Sequence, residues 1–241
     1  MSDMLLTLEG VHTHIGAYHI LHGVDLQVPR GQLTMLLGRN GAGKTTTLRT
    51  IMGLWQASQG RITFNGQDIT RLHTPAIAAL DIAYVPENMG IFADLTVKEN
   101  MLLAARQARH ARDMDEERLQ WIFKLFPAVE KFWNHPAGKL SGGQKQMLAV
   151  SRAIVEPRRL LIVDEPSKGL APVMIDNMIT AFQQLKAGGV TILLVEQNIN
   201  FAKRLGDRVA VMDDGRVVHA GAMQALAEDE VLQQSLLGLA L

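Results

Sequence analysis

No cysteine occurs anywhere in the 241 residues. Its absence excludes a disulfide framework, a cysteine-based zinc site and a thiol nucleophile, and suits a reducing compartment. Net charge is missing as well: 24 Lys and Arg offset 24 Asp and Glu, a formal +0. No overall electrostatic footprint therefore favours wrapping nucleic acid, and no nucleic-acid partner is expected. The chain has no acidic or basic tail, no internal repeat and no low-complexity segment. Long apolar runs are lacking too. The longest, such as 190–195, are strand length and far short of the roughly 20 residues that a spanning helix needs, and the first residues do not read as a signal peptide. The expectation is a chain that meets a membrane only through a partner. What is present is 47% hydrophobic, ordinary for a globular protein, in a length that suffices for one large α/β unit or two small domains.

The stretch Gly38-Arg39-Asn40-Gly41-Ala42-Gly43-Lys44-Thr45 fits G-x-x-x-x-G-K-[ST], the phosphate-binding P-loop. A polyphosphate needs many N–H donors at close range, and residues without a Cβ let the backbone curl around it. Gly38, Gly41 and Gly43 supply that freedom. Lys44 adds a point charge for the β- and γ-phosphates, and Thr45 offers a hydroxyl to Mg²⁺. Thr46 begins a helix over 46–52 whose N-terminal dipole faces the anion. The apolar run 33–37 reads as the buried strand that enters the loop.

Before this loop, 5–8 reads as a short strand ending near Gly10, and 24–28 alternates with Val24, Leu26 and Val28 on one face. After it, 60–66 reads as a hairpin strand and turn, and 82–85 as a short buried strand stopped by Pro86. Thr96 and Glu99 have capping-box spacing, so a helix is expected from there towards Arg109. A second is expected from Asp115, with Leu119, Ile122, Phe123 and Phe126 at helical spacing. The charged stretch of Arg106, Arg109 and Arg112, then Asp113, Asp115, Glu116 and Glu117, reads as the solvated end and start of these two helices. Runs at 159–164, 190–195 and 209–212 alternate with helical patterns, which argues for a largely parallel sheet covered on both sides. Asp213-Asp214-Gly215 marks a hairpin turn, and the chain from Met223 onward reads as helical.

Two further stretches carry chemistry. The run 160–165 is an apolar strand ending in Asp164 and Glu165. Placed at the C-terminal edge of a sheet, Asp164 can hold Mg²⁺ and Glu165 can polarise an attacking water. Leu140-Ser141-Gly142-Gly143-Gln144 opens a helix with a serine N-cap and two glycines, an anion-receptive helix start without a lysine.

In order and spacing these motifs strongly resemble those of the ABC ATPases, the nucleotide-binding subunits of ABC transporters, over nearly the whole chain. Tyr84-Val85-Pro86-Glu87, the segment from Asp164 to Pro172 and Val195-Glu196-Gln197-Asn198 look most like the ATPases of branched-chain amino-acid importers and their urea or amide relatives. The resemblance implies an α/β P-loop NTPase fold: a mixed-sheet core over 1–87 and 158–241 with an antiparallel β edge, interrupted by a helical signature subdomain at about 88–157. It implies ATP and Mg²⁺ as ligands, ATP hydrolysis coupled to uptake of a small polar solute, and a peripheral place on the cytoplasmic face of the inner membrane under permease subunits. It also implies a head-to-tail pair with a second ATPase subunit, a copy or a related chain. Each ATP then lies between one subunit's P-loop and the other's Ser141, Gly142, Gly143 and Gln144, with Tyr18 stacked on adenine. Segment 87–95 senses nucleotide and meets a cytoplasmic helix of the permease.

Three residues depart from the family pattern. Glu87 stands where glutamine is usual, presenting a carboxylate to Mg²⁺. Gln197 takes the usual histidine position and cannot charge near neutral pH. Lys168 occupies a site where a small or apolar residue is commoner. Two rival readings stay open: a non-transport ABC ATPase of DNA repair or translation, and a nucleotide-gated subunit with little turnover. His12, His14, His19 and His22 lack a carboxylate or cysteine at ligand spacing and read as strand-face or solvated residues.

Overall fold

The computed structural model describes residues 4–105, 108 and 110–238. The first strands, β1 (Met4–Ile15) and β2 (Tyr18–Pro29), pair antiparallel. β1 outruns the expected strand over 5–8 because a bulge interrupts its alternation. At Gly10 φ is +55°, and the β1–β2 register shifts between Leu8 and Val11. β2 alternates as expected, with Val24, Leu26 and Val28 buried and Asp25 and Gln27 exposed.

β3 (Leu33–Gly38) enters the P-loop and α1 (Lys44–Ile51) leaves it. β4 (Ala57–Phe64) returns along β1 and turns at Asn65 and Gly66 into β5 (Gln67–Asp68). A short helix, α2 (Thr74–Ala78), precedes β6 (Ile82–Val85); its five residues are too few for a helical period to register. Four helices follow: α3 (Val97–Ala104), α4 (Glu116–Leu125), α5 (Pro127–Lys131) and α6 (Gly142–Ala153). The described residues between β6 and β7 carry no named strand. Thr96 and Glu99 form the anticipated capping box, and Asp115 caps α4. α3 stops at Ala104, short of the expected reach; Arg106 and Arg109 lie outside the described residues. The chain continues through β7 (Leu160–Asp164), α7 (Pro172–Ala187), β8 (Thr191–Glu196), α8 (Ile199–Leu205), β9 (Arg208–Asp213), β10 (Arg216–Ala222), α9 (Met223–Glu228) and α10 (Glu230–Leu237).

These elements make an α/β fold with two sheets, one antiparallel in the order β2-β1-β4-β5 and one mixed in the order β10-β9-β3-β8-β7-β6. Only β10 runs antiparallel to its neighbour in the second sheet. Its inner strands are apolar on both faces because both are covered. Leu33, Met35, Leu37, Ile192 and Leu194 face the helical core, while Leu36, Leu193 and Val195 face a core shared with the antiparallel sheet and α1. Parallel strands end on a common edge, so the segments after β3, β6, β7 and β8 gather there.

On the β1–β2 ribbon, the rings of His14 and His19 stack with centroids 4.2 Å apart, and His12 Nδ1 lies 3.1 Å from His19 Nε2. Among the described residues no group of three or more His, Cys, Asp or Glu side chains is arranged to hold a metal ion.

Candidate functional site

β3 ends at Gly38, where φ is +148° and a Cβ would sit 2.3 Å from the Met212 carbonyl oxygen, so only glycine fits. The loop turns again through left-handed positions at Gly41 and Gly43, and Gly43 is the N-cap of α1. Its back is braced. Gly215 N donates to the Ala42 carbonyl at 3.0 Å, and the Gly215 carbonyl accepts from His22 N at 2.9 Å. The amides that open α1 lack intrahelical acceptors. No acidic side chain sits in the helix's first turn, so that end remains receptive to an anion. Lys44, only 5% exposed, donates from Nζ to the carbonyls of Gly38 at 2.9 Å and Arg39 at 3.0 Å. Burial pushes its pKa down, while Glu165, Asp164 and Glu196 push it back up.

A cavity of about 390 Å³ opens over this loop. Asn40, Gly41, Gly43, Lys44, Thr45 and Thr46 line one side, with Glu87, Glu165 and Lys168 across from them. Asp164, fully buried at the end of β7, lies behind Thr45, whose Oγ1 donates to Asp164 Oδ1 at 3.2 Å. Tyr84 on β6 donates its hydroxyl to Asp164 Oδ2 at 3.5 Å. Burial pushes the Asp164 pKa up to about 6 against the pull of the Thr45 hydrogen bond, and Glu165 and Glu87 add to the rise. Burial and the neighbouring Asp164 push Tyr84 up to about 12, which keeps its hydroxyl protonated and donating. Asp164 thus sits where a cation is wanted. With the Thr45 hydroxyl it forms an oxygen donor set of the kind Mg²⁺ takes.

Glu165 follows on a strained backbone, with φ at +48°. Its amide is pinned to the Val195 carbonyl at 3.0 Å. Its carboxylate, 9% exposed, accepts from Gln197 Nε2 at 2.5 Å and lies 3.8 Å from Lys44 Nζ and 3.6 Å from Lys168 Nζ. Gln197, one residue beyond β8, therefore touches Glu165 directly. Glu87 reaches the same cavity, but its Oε1 is held by Lys168 Nζ at 2.5 Å.

Two site-forming residues stand within stretches that carry the family resemblance, yet the sequence gives them no role in the site. Tyr84 reads as one more residue of a short strand. Glu196 reads as the end of an apolar run, yet its carboxylate is 2% exposed and accepts three backbone N–H bonds: from Ser167 at 2.9 Å, Gln197 at 3.1 Å and Asn198 at 3.3 Å. An acid closing a run of buried residues was the available signal. One buried carboxylate thereby fastens the loop after β7 to the loop after β8. Glu196→Gln turns one acceptor into a donor facing a backbone N–H. It is expected to cost about 2 kcal/mol, read as a melting temperature lower by roughly 5 °C. An unchanged melting temperature would show that these bonds carry little.

Tyr18 and the 140–144 segment do not join this cavity. Tyr18 heads β2 with 76% of its surface exposed, while Ile20, two residues on, lines the cavity. Ser141, Gly142, Gly143 and Gln144 start α6. Gln144 N donates to Ser141 Oγ at 3.3 Å and Ser141 N to Gln144 Oε1 at 2.9 Å, which leaves the serine O–H free to donate outward. Gly142 faces open space, whereas a Cβ on Gly143 would meet Met174 Cε at 2.5 Å.

A family model described as ABC transporter matches residues 21–168. The chain is 38% identical over 236 residues to the high-affinity branched-chain amino acid transport ATP-binding protein BraG of Pseudomonas aeruginosa, spanning 97% of this chain and 100% of that one. It is 36% identical over 227 residues to the probable branched-chain amino acid transport ATP-binding protein LivF of Archaeoglobus fulgidus, spanning 92% and 93% of the two chains. Among solved structures, a bacterial ABC transporter cassette described as dimeric aligns with a TM-score of 0.80 at 25% identity, over 90% of this chain and 98% of that one.

Proposed function

Because the chain belongs to the ABC transporter family and is an ATP-hydrolysing subunit of that kind, we propose that it powers uptake of branched-chain amino acids through a membrane permease. The observation that carries this reading is the meeting of Lys44, Thr45, Asp164 and Glu165 at one cavity in a chain so similar to BraG and LivF along its length. Those relatives are transport subunits by name, which does not favour a role in DNA repair or translation.

In this reading the amides of Gly41, Ala42, Gly43, Lys44, Thr45 and Thr46 and the Lys44 ammonium hold the β- and γ-phosphates, with Gly38, Arg39 and Asn40 shaping the loop. Thr45 and Asp164 hold Mg²⁺, with Glu87 within reach. When bound, the ion neutralises charge on the phosphate oxygens. Glu165 polarises the attacking water, and Gln197 fixes the Glu165 carboxylate by its 2.5 Å hydrogen bond. Tyr18, exposed at the head of β2, stacks on adenine. Catalysis then rests on positioning and charge stabilisation.

The 141–144 segment stands apart from the cavity of its own chain, and the ABC cassette with TM-score 0.80 is described as dimeric. Both support a head-to-tail pair in which each signature completes the other subunit's site, the second subunit being a copy or a related ATPase. The stretch 88–157 serves as a helical signature subdomain set against a core of 1–87 and 158–241. Beside Glu87 opens a groove of about 1000 Å³ lined by Arg49, Leu54, Trp55, Tyr84 and Asn88 among others. It is wide and apolar enough for a cytoplasmic helix of the permease. No helix among the described residues is long and apolar enough to cross a membrane, in keeping with a peripheral subunit on the cytoplasmic face. Deleting the chain from its host is expected to cut uptake of labelled leucine by about tenfold or more, and restoring it should recover uptake. Unchanged leucine, isoleucine and valine uptake in the deletion would refute the solute assignment.

A further inference from the structure

Glu87 and Lys168 lie 81 positions apart in sequence, yet the Lys168 ammonium sits 2.5 Å from Glu87 Oε1 and 3.6 Å from Glu165 Oε2. Both residues line the cavity over the P-loop. Around that cavity the carboxylates of Glu87, Asp164 and Glu165 meet two ammonium groups, those of Lys44 and Lys168. A carboxylate at 87 adds a negative charge to a place that must receive the anionic end of a nucleotide. Lys168 adds one positive charge back, at the same carboxylate and not elsewhere in the cavity. They are two of the three residues that the sequence reading sets apart from the family it resembles, and they touch each other.

We infer that Lys168 is a positioning residue for the ATPase reaction, acting through Glu87 with which it forms one charge-balanced unit. Lys168 keeps the Glu87 carboxylate neutralised and turned beside Glu165, so Glu87 adds no uncompensated negative charge at the γ-phosphate end of the cavity. Without Lys168, Glu87 repels nucleotide. Without Glu87, Lys168 is released towards the phosphates and towards Glu165, where it tightens binding and draws electron density from the carboxylate that acts on water. The ammonium stays charged throughout, because the Glu87 hydrogen bond and the charges of Glu87 and Glu165 hold its pKa above the usual lysine value.

The inference rests on the ATPase reading of this site, and equilibrium binding of a non-hydrolysable ATP analogue, AMPPNP, separates the two. With Mg²⁺ present, Lys168→Ala is expected to raise the Kd by about three- to tenfold and Glu87→Gln to lower it by a similar factor, as expected for one partly screened charge near the phosphates. The double variant should return to within about twofold of the unaltered chain. Lys168→Arg, which keeps the charge, should stay close to it as well. A merely structural tether predicts something else: both single variants would weaken binding together, and thermal melts would show them less stable by the same amount. Shifts of the same sign, or a double variant that keeps the shift of either single one, would overturn the inference while leaving the ATPase reading intact. Failure of the unaltered chain to bind AMPPNP would overturn both.

Discussion

Glu165→Gln is expected to lower ATP turnover of the purified protein by about 10³-fold, the scale of losing a positioned general base, while nucleotide binding persists. The substitution keeps the side chain's shape and its contact with Gln197 but removes the charge. Glu165 is the group best placed to act on water. It is 9% exposed, faces Lys44 at 3.8 Å, and is held from behind by Gln197 and from the backbone by the Val195 carbonyl. Gln197, in contrast, reaches the cavity only through Glu165. Gln197→Ala is therefore expected to leave a measurable rate, lower by about tenfold from lost orientation. Phosphate release at saturating Mg·ATP measures both variants, and light scattering in ATP reports whether the Glu165→Gln chain accumulates as a dimer. A larger loss for Gln197→Ala than for Glu165→Gln would exchange the two roles.

The parts of this site that were legible in the sequence are those where backbone chemistry leaves a mark. Gly38, Gly41 and Gly43 adopt backbone angles that L side chains avoid, so the P-loop has to be written in glycine. Asp164 ends an apolar strand, and its neighbours on the sheet edge follow from parallel topology. Less legible were features fixed by tertiary contact. The extent of β1 was hidden by a bulge at Gly10, which Gly60 of β4 packs against so closely that a Cβ at 60 would lie 2.3 Å from the Gly10 carbonyl. Tyr84 and Glu196 look like ordinary strand residues until the sheet sets one against Asp164 and the other beneath the loops after β7 and β8. The meaning of Lys168 was closed to any local reading, because its partner lies on a different strand's loop.

Lys44→Ala is expected to weaken Mg·ATP binding by about 100-fold or more, the scale of losing a charge-assisted contact in a partly desolvated site, and to leave the fold in place. The fold should survive although the carbonyls of Gly38 and Arg39 lose their Lys44 partner, because other contacts fix the chain around them. The P-loop itself is held from behind by Gly215 and Ala42, a contact that does not involve Lys44. Binding should suffer because Lys44 is the cation of the loop that is buried to 5% exposure and already aimed at the groups phosphate would displace, the two carbonyls and the Glu165 carboxylate. Burial lowers its pKa while Glu165, Asp164 and Glu196 raise it, so the ammonium is a counter-charge for these acids too. Removing the ammonium thus leaves Glu165 and Asp164 to repel the incoming phosphates as well as taking away their partner. Calorimetric titration of Mg·ATP into both chains, with matched thermal melts, measures the effect. A Kd within about threefold of the unaltered chain would mean that the loop amides and α1 hold the phosphates by themselves, and that Lys44 serves chiefly to neutralise Glu165.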